Sequence, residues 1–452
     1  MDATNPSSPT TESRKVHLIS LGCARNRVDS EVMLGTMLER GWKISDEPEG
    51  ADAVVVNTCG FIGPAKQESV DTILDAARLK ESNPNLKLVV TGCLTQRYKS
   101  QLAKGLPEVD LFIGTDEFTR LGDLIDQRPS EEKVFAKRTH YLYNEYLPRV
   151  NTLAKHSAYV KVAEGCQHNC AFCIIPAIRG KLRSRPLESV VAEVQKLVAD
   201  GVLEVNLIAQ DLAAYGRDQG QDQLHALLES LTAIPELQWL RLLYVYPENI
   251  SDGLLELFAN SDKIVKYLDI PVQHASDEVL TRMNRGVTRQ QLRDIFARVR
   301  KAVPDLAIRT SVMVGFPGET DADFEQLLEF VKEQRFEHLG CFTYSQEEGT
   351  AAGRMSEQID DDLKLERKRR IMEVQRDISA ARLKDKVGHV LPVLVEGPSK
   401  ETELLWQGRL ATQAPEVDGL VYINDGPVEQ GKIQQVRITS SHDYDLIGTV
   451  IS

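Results

Sequence analysis

Ala158-Tyr-Val-Lys-Val-Ala-Glu-Gly-Cys166-Gln-His-Asn-Cys170-Ala-Phe-Cys173 runs from an apolar strand pattern directly into three closely spaced thiols. The strand is expected over Ala158–Val162, which leaves the cysteines in the loop that follows it. Further strand patterns recur at Glu204–Ile208, Leu240–Leu243, Tyr267–Ile270, Ala307–Val314 and Leu339–Thr343. Helical patterns such as Leu187–Ala199 and Asp323–Glu333 separate them. About six βα units are too many for a small open sheet and too few for a full eight-fold barrel. A partial (β/α)6 barrel is therefore expected, closed by a charged C-terminal helix, over residues 156–383. The thiol loop then lies at the mouth of the barrel, where barrel chemistry is usually housed.

Upstream, a second set of three cysteines is spread out. Cys23, Cys59 and Cys93 each close a short apolar run: Val16–Leu21, Ala53–Val56 and Leu86–Val90. The spacing between them is close to one strand-helix-strand unit. The helical pattern of Asn26–Trp42 follows the first, and that of Ala65–Leu79 the second. Residues 15–125 thus read as an open parallel α/β domain, with three thiols just past the C-terminal ends of three strands. That edge is where such sheets place ligands.

The rest of the chain has a different character. Residues 126–155 are charged, Tyr-rich and aperiodic, and read as a linker. Lys364–Arg370 lies in a strongly charged helix that reads as a solvated surface. Residues 384–452 hold short alternating runs split by Gly, Pro and Asn-Asp turns, the pattern of a small five-stranded antiparallel β-barrel. Residues 1–14 are polar, rich in Ser, Thr and Pro, and read as a disordered tail without the apolar core of a signal peptide. No run approaches the ~18 to 20 apolar residues that span a bilayer, so no membrane is expected. The expected location is cytoplasmic, where disulfides are rare and clustered cysteines more often bind metal. The net charge of −13 disfavours long-range attraction of nucleic acid and favours a basic protein partner.

Two three-thiol groups suggest two iron-sulfur clusters. A 4Fe-4S cluster normally takes four thiolates. Three close thiolates leave the fourth iron open for chemistry. For the compact group the alternative is zinc, with His168 as fourth ligand. The seventh cysteine, Cys341, falls in the apolar run Leu339–Thr343 and reads as core.

Cys166-x3-Cys170-x2-Cys173, with Phe172 before the last cysteine, resembles the signature of the radical S-adenosylmethionine enzymes. The resemblance implies a 4Fe-4S cluster on these three residues, with S-adenosylmethionine on its open iron as the source of a 5′-deoxyadenosyl radical. It also implies S-adenosylmethionine contacts from Val314-Gly-Phe-Pro-Gly-Glu319, through Gly315, Pro317 and Gly318, unless that stretch is a simple turn, and from Gln210 at the end of the second barrel strand. The domain order resembles the methylthiotransferases over nearly the whole chain. In that family the second 4Fe-4S cluster, here on Cys23, Cys59 and Cys93, carries the inserted sulfur, and the C-terminal barrel is a TRAM domain. No catalytic side chain beyond the cluster ligands is implied. A low-potential electron donor such as flavodoxin or ferredoxin is.

Two substrate classes occur in the family: an adenosine beside the transfer-RNA anticodon, and the β-carbon of an aspartate in small-subunit ribosomal protein S-twelve. Residues 387–452 carry Lys400, Arg409, Lys432 and Arg437 against nine carboxylates. An RNA-holding domain should be basic, whereas an acidic one suits a basic ribosomal protein, so RNA contact is not expected to dominate. The wording of Ser20–Glu31, Ile174–Pro186 and Cys341–Gly349 also resembles the ribosomal-protein branch; Ala24-Arg25 departs from its usual Pro-Lys. Arg179, Lys181, Arg183 and Arg185 follow the thiol loop and are candidates to hold a substrate carboxylate, or else form a surface loop or contact S-adenosylmethionine or the second domain. The rival of another class is a non-catalytic, zinc-containing RNA-binding or ribosome-assembly protein.

Overall fold

The computed structural model describes residues 13–126, 132–137 and 140–451. The expected tail over 1–14 lies outside them, except for Ser13 and Arg14. The chain forms two compact units, one of residues up to 141 with 146–150, the other of 142–145 with the residues from 151 onward.

The first unit is built on a parallel sheet of β1 (Lys15–Ser20), β2 (Lys43–Ile44), β3 (Ala53–Thr58), β4 (Lys87–Gly92), β5 (Leu111–Ile113) and β6 (Val134–Phe135). Their spatial order is β2-β1-β3-β4-β5-β6. Ala53-Val-Val-Val-Asn-Thr58 is buried throughout, as a central strand covered on both faces must be. Because the order reverses between β1 and β3, a crevice opens at their C-terminal ends. Ser20 pairs with Asn57, and Thr58 with Gly92, so the three strand ends are level. β6 falls inside the stretch read as a linker: Val134 and Phe135 pair with Phe112 and Ile113, an edge contact too short to show a period in sequence.

The second unit begins with β7 (Ser157–Lys161). A short hairpin of β8 (Ala163–Glu164) and β9 (Arg183–Ser184) brackets the thiol loop. Five parallel strands follow: β10 (Glu204–Ile208), β11 (Trp239–Leu242), β12 (Ile264–Asp269), β13 (Ala307–Val314) and β14 (His338–Thr343). The sheet order β14-β13-β12-β11-β10-β7 is that of six successive βα units in an open, partial barrel. Its core takes in Val160, Leu207, Leu242, Leu268, Ile308 and Val312. Cys341 is in the same core, where burial pushes its thiol up to about 12.

The helix Asp361–Lys384 is less solvated than its charges suggest. Lys364 and Arg367 are buried, and Arg367 Nη1 donates to Glu319 Oε1 at 2.9 Å. The guanidinium is drawn inward because a carboxylate waits there.

The last domain is a closed barrel of β15 (Val390–Pro398), β16 (Trp406–Leu410), β17 (Val421–Asp425), β18 (Ile433–Ser441) and β19 (Leu446–Val450). The expected antiparallel pairing holds for every pair but one: β17 and β19 run parallel. An odd number of strands cannot close with every neighbour opposed.

This barrel is fixed to the floor of the larger one by buried charges. Arg409 lies between Glu204 Oε2 (2.5 Å) and Glu396 Oε1 (2.6 Å) and is fully buried. Arg241 Nη2 reaches the other oxygen of Glu204 at 2.8 Å. Burial alone would raise the Glu204 carboxyl, but Arg409 and Arg241 outweigh it and hold it well below the usual carboxylate range. Around them Tyr159 donates to Pro415 O, and Tyr267 to Asp418 Oδ2 at 2.7 Å. The loop between β16 and β17 therefore plugs the N-terminal end of the partial barrel, the end opposite the thiol loop.

Candidate functional sites: two groups of three thiols

In the first unit the three thiols meet at the level strand ends. Cys23 is the N-cap of the helix Ala24–Glu39, Cys59 follows β3, and Cys93 opens the helix Cys93–Gly105. Two of the three thus sit at helix N-termini, where the dipole favours a thiolate. Gly92 has φ 96° and lies against Thr58 O, so that a side chain would strike that carbonyl at 2.6 Å. Only glycine allows β4 to turn there and present Cys93 beside Cys59. A Cβ on Gly22 would lie 3.3 Å from Cys59 Sγ, which shows how closely the first two thiol segments approach.

Asn26 ties the three segments together. Its Nδ2 donates to Leu21 O (3.1 Å) and Thr58 O (2.9 Å), and Cys93 Sγ donates to its Oδ1 at 3.6 Å. Asn57 Nδ2 donates in turn to Asn26 O at 2.8 Å and to Ser30 Oγ at 2.9 Å. Both asparagines are buried. Their position beside the thiols has no periodic signal; the one local sign is that Asn26 lies three residues past Cys23.

In the second unit the thiol loop sits at the C-terminal mouth. Cys166, Cys170 and Cys173 are half-buried. Cys166 N donates to Gly180 O at 3.2 Å, and Gly165, at φ 73°, passes so close to Gly180 O that a Cβ would meet it at 2.6 Å. Backbone N–H groups also face the sulfurs: His168 N donates to Cys166 Sγ, and Ile175 N to Cys173 Sγ, both at 3.4 Å. Such donors favour the thiolate form. Three half-buried thiols, two of them facing N–H groups, suit the donor set of an iron-sulfur cluster.

His168 is otherwise engaged. Its ring stacks on Tyr246 at 3.9 Å, and its Nε2 lies 2.7 Å from Asp211 Oδ2. Among the described residues no group of three His, Cys, Asp or Glu side chains converges closely enough to hold a single metal ion.

The expected cofactor contacts ring the same mouth. Gln210 follows β10, and both atoms of its side-chain amide are buried without a protein partner, as a residue reserved for a polar ligand would be. Gly315 and Gly318 follow β13 with Pro317 between them. The space a side chain would take at Gly315 is filled by Lys364, and that at Gly318 by Arg282. The glycines thus have a packing role of their own. Glu319 closes this loop by accepting from Phe316 N at 3.1 Å and from Gly315 N at 2.6 Å; burial pushes its carboxyl up to about 7.

Of the four cations after the loop, two are structural. Arg179 Nη1 pairs with Glu164 Oε2 at 3.2 Å, and Arg185 Nη1 with Glu193 Oε2 at 2.5 Å, all buried. Lys181 is exposed, and Arg183 donates to the carbonyls of Arg179 and Lys181. A cavity of about 1020 Å³ lies at the other end of the barrel, lined by Arg309, His338, Lys386 and Gln413 among others. None of the six clustered cysteines borders it.

Family models match the chain in three places: an uncharacterized protein family, UPF0004, over residues 15–114, the Radical SAM superfamily over 160–331, and the TRAM domain over 387–451. Curated relatives match nearly end to end. A ribosomal protein uS12 methylthiotransferase RimO from Geobacter sulfurreducens is 49% identical over 97% of this chain and 99% of its own. One from Syntrophotalea carbinolica is 50% identical over 98% of each. The chain belongs to the RimO family of radical S-adenosylmethionine methylthiotransferases. As a RimO-family enzyme it uses a 4Fe-4S cluster and S-adenosylmethionine. Among solved structures, the radical S-adenosylmethionine methyltransferase TsrM from Kitasatospora setae, with cobalamin and a 4Fe-4S cluster bound, aligns at TM-score 0.53 and 16% identity. The alignment covers 76% of this chain and 77% of TsrM, and shares the fold alone. No described helix of this RimO-family chain is long and apolar enough to cross a membrane.

Proposed function

We propose that this enzyme methylthiolates the β-carbon of an aspartate in the small-subunit ribosomal protein uS12. The observation that carries the reading is full-length similarity to relatives named for that substrate, together with a second group of three thiols at level strand ends. The compact group Cys166, Cys170 and Cys173 would hold the radical-forming 4Fe-4S cluster. The dispersed group Cys23, Cys59 and Cys93 would hold an auxiliary 4Fe-4S cluster that carries the sulfur. When bound, these clusters and S-adenosylmethionine supply a carbon radical and a sulfur donor, which an unactivated C–H bond requires because no side-chain base deprotonates it at neutral pH.

The chain's own residues bind and orient. The unpartnered amide of Gln210 would take polar groups of S-adenosylmethionine, and the Gly315–Gly318 loop would wall its pocket. Lys181, exposed beside the loop, is the cation left to meet a substrate carboxylate; Arg179 and Arg185 already hold buried acids of their own. The small barrel offers an acidic face. Glu401, Glu403, Glu416, Asp425, Glu429 and Asp443 are exposed, against Lys400, Lys432 and Arg437. That balance suits a basic ribosomal protein better than transfer RNA. The reaction would take place in the cytoplasm with a low-potential flavodoxin- or ferredoxin-like donor.

The test is mass spectrometry of ribosomal proteins and transfer RNA from a deletion strain. Loss of a methylthio group from a uS12 aspartate, restored by the wild-type gene, is the expected result. An unchanged uS12 with a methylthio group missing from transfer RNA would overturn the reading.

A further inference from the structure

We infer that the corner Met283-Asn284-Arg285 is the positioning device of the compact thiol loop, and that the Arg285 charge raises the reduction potential of the cluster held there. The inference rests on the reading of Cys166, Cys170 and Cys173 as cluster ligands.

Three consecutive residues grip three consecutive residues of the loop. Ala171 N donates to Met283 O at 2.8 Å. Asn284 Nδ2 donates to Asn169 O at 2.7 Å. Arg285 Nη1 points at Cys170 Sγ at 3.8 Å. The corner can do this because Asn284 adopts a left-handed conformation, φ 55°, just after the short helix Asp277–Arg282. Asparagine tolerates that conformation better than most residues.

Arg285 is itself held from two sides. Its Nη2 donates to Pro271 O at 2.7 Å, beyond the end of β12. Its guanidinium carbon lies 3.9 Å from the centre of the Tyr246 ring. His168 is stacked at the same distance from that ring and nearly parallel to it, so the two must occupy opposite faces. The resulting sandwich of His168, Tyr246 and Arg285 joins the loop to the ends of β11 and β12. Arg285 is only 7% exposed, so water screens its charge weakly.

A fixed cation beside a ligand sulfur favours the more negative redox state. Net charge, hydrogen bonds to the sulfurs and exposure are what set cluster potentials. Arg285 brings a charge and an N–H donor to Cys170 Sγ.

The experiment uses the full chain carrying C23A, C59A and C93A, reconstituted anaerobically, so that one cluster remains. Iron and sulfide content establish loading, and a redox titration followed by electron paramagnetic resonance gives the reduced-to-oxidised ratio. At the parent midpoint, R285Q is expected to lower that ratio at least tenfold, a shift of 59 mV for one electron. R285K, which keeps the charge, should stay within about threefold of the parent. R293Q, which removes an exposed cation paired with Glu333, should leave the ratio unchanged. Reductive cleavage of S-adenosylmethionine by R285Q should be slow with a weak reductant and recover with a stronger one.

A loaded R285Q with the parent ratio overturns the inference. If R285Q holds no iron, R285K decides: iron with the parent ratio sustains the role of the charge, and no iron or a shifted ratio overturns it. If C166A, C170A and C173A leave the signal in place, the cluster reading itself fails, whatever Arg285 does.

Discussion

In the second unit three thiols lie within the eight residues from Cys166 to Cys173, whereas in the first they are drawn from the 71 residues from Cys23 to Cys93. The compact group depends on a single loop, pinned from outside by the 283–285 corner and closed at its ends by Glu164 and Arg179. The dispersed group depends on the register of three strands, and on Asn26 and Asn57 bridging them. One donor set is therefore local in sequence and the other exists only once a sheet has formed. The first should tolerate damage to the sheet of its own unit poorly only where the loop is touched; the second should be lost with any change that lets one strand end slip.

Replacing all three compact thiols by Ala should abolish 5′-deoxyadenosine formation and leave the dispersed group able to hold iron. Unchanged 5′-deoxyadenosine yield would break the comparison at its root. Replacing Cys23, Cys59 and Cys93 should do the reverse. Radical formation persists, while methylthiolated product stops; turnover beyond one enzyme equivalent would make these thiols structural.

Glu204 tests whether stability and chemistry are separable. E204Q leaves Arg241 buried without its carboxylate and Arg409 with Glu396 alone, a loss of about 3 to 5 kcal/mol. The urea midpoint of the second unit should fall, and iron content at the compact site should hold, because the junction lies at the opposite end of that barrel. Glu204 titrates below its ordinary 4.5 in the folded protein. Its contribution is therefore present above that pH and lost progressively as the pH falls below it. Acid should lower the wild-type midpoint in that range and affect E204Q less.

Asn26 tests the bridge. N26A removes a buried partner of two carbonyls, a cost of about 1 to 3 kcal/mol. Iron analysis should show selective loss from the dispersed site with the compact site filled. Equal loss from both would mean that Asn26 acts through general stability.

The smallest effects are expected at the acidic barrel. Reversing Glu401, Glu403, Glu416 and Asp425 to Lys should weaken uS12 binding by ~0.2 to 1 kcal/mol each. Added salt should weaken the wild type more than the reversed variant, as read from a salt series of dissociation constants. Asp418 takes no part in this face: its carboxylate is buried against Tyr267 and Arg309.

How much of this was legible in the sequence follows the same division. Strand runs with clear hydrophobic pattern were readable: Glu204–Ile208 and Ala307–Val314 coincide with their strands, and the others differ by a few residues at their ends. The thiols announced themselves by spacing. Long-range charge pairing did not. Arg409 and Glu204 lie 205 positions apart, and no period in the chain links them. Lys364 and Arg367 read as solvated because a charged helix face looks the same whether or not a buried acid waits opposite. β6 is an edge pairing only two residues long, and the parallel β17–β19 pair is a consequence of barrel closure; both are invisible to local pattern. Asn26 and Arg285 are single polar residues whose value lies wholly in what the fold brings beside them.

The central claim is that each group of three thiols holds its own cluster. Iron and sulfide analysis with Mössbauer spectroscopy, on anaerobically purified wild type and the two triple-alanine variants, tests it most directly. Two 4Fe-4S clusters require about eight irons in the wild type and about four in each variant. A variant that keeps the full iron content, or a wild type that carries zinc in place of iron, would contradict the account.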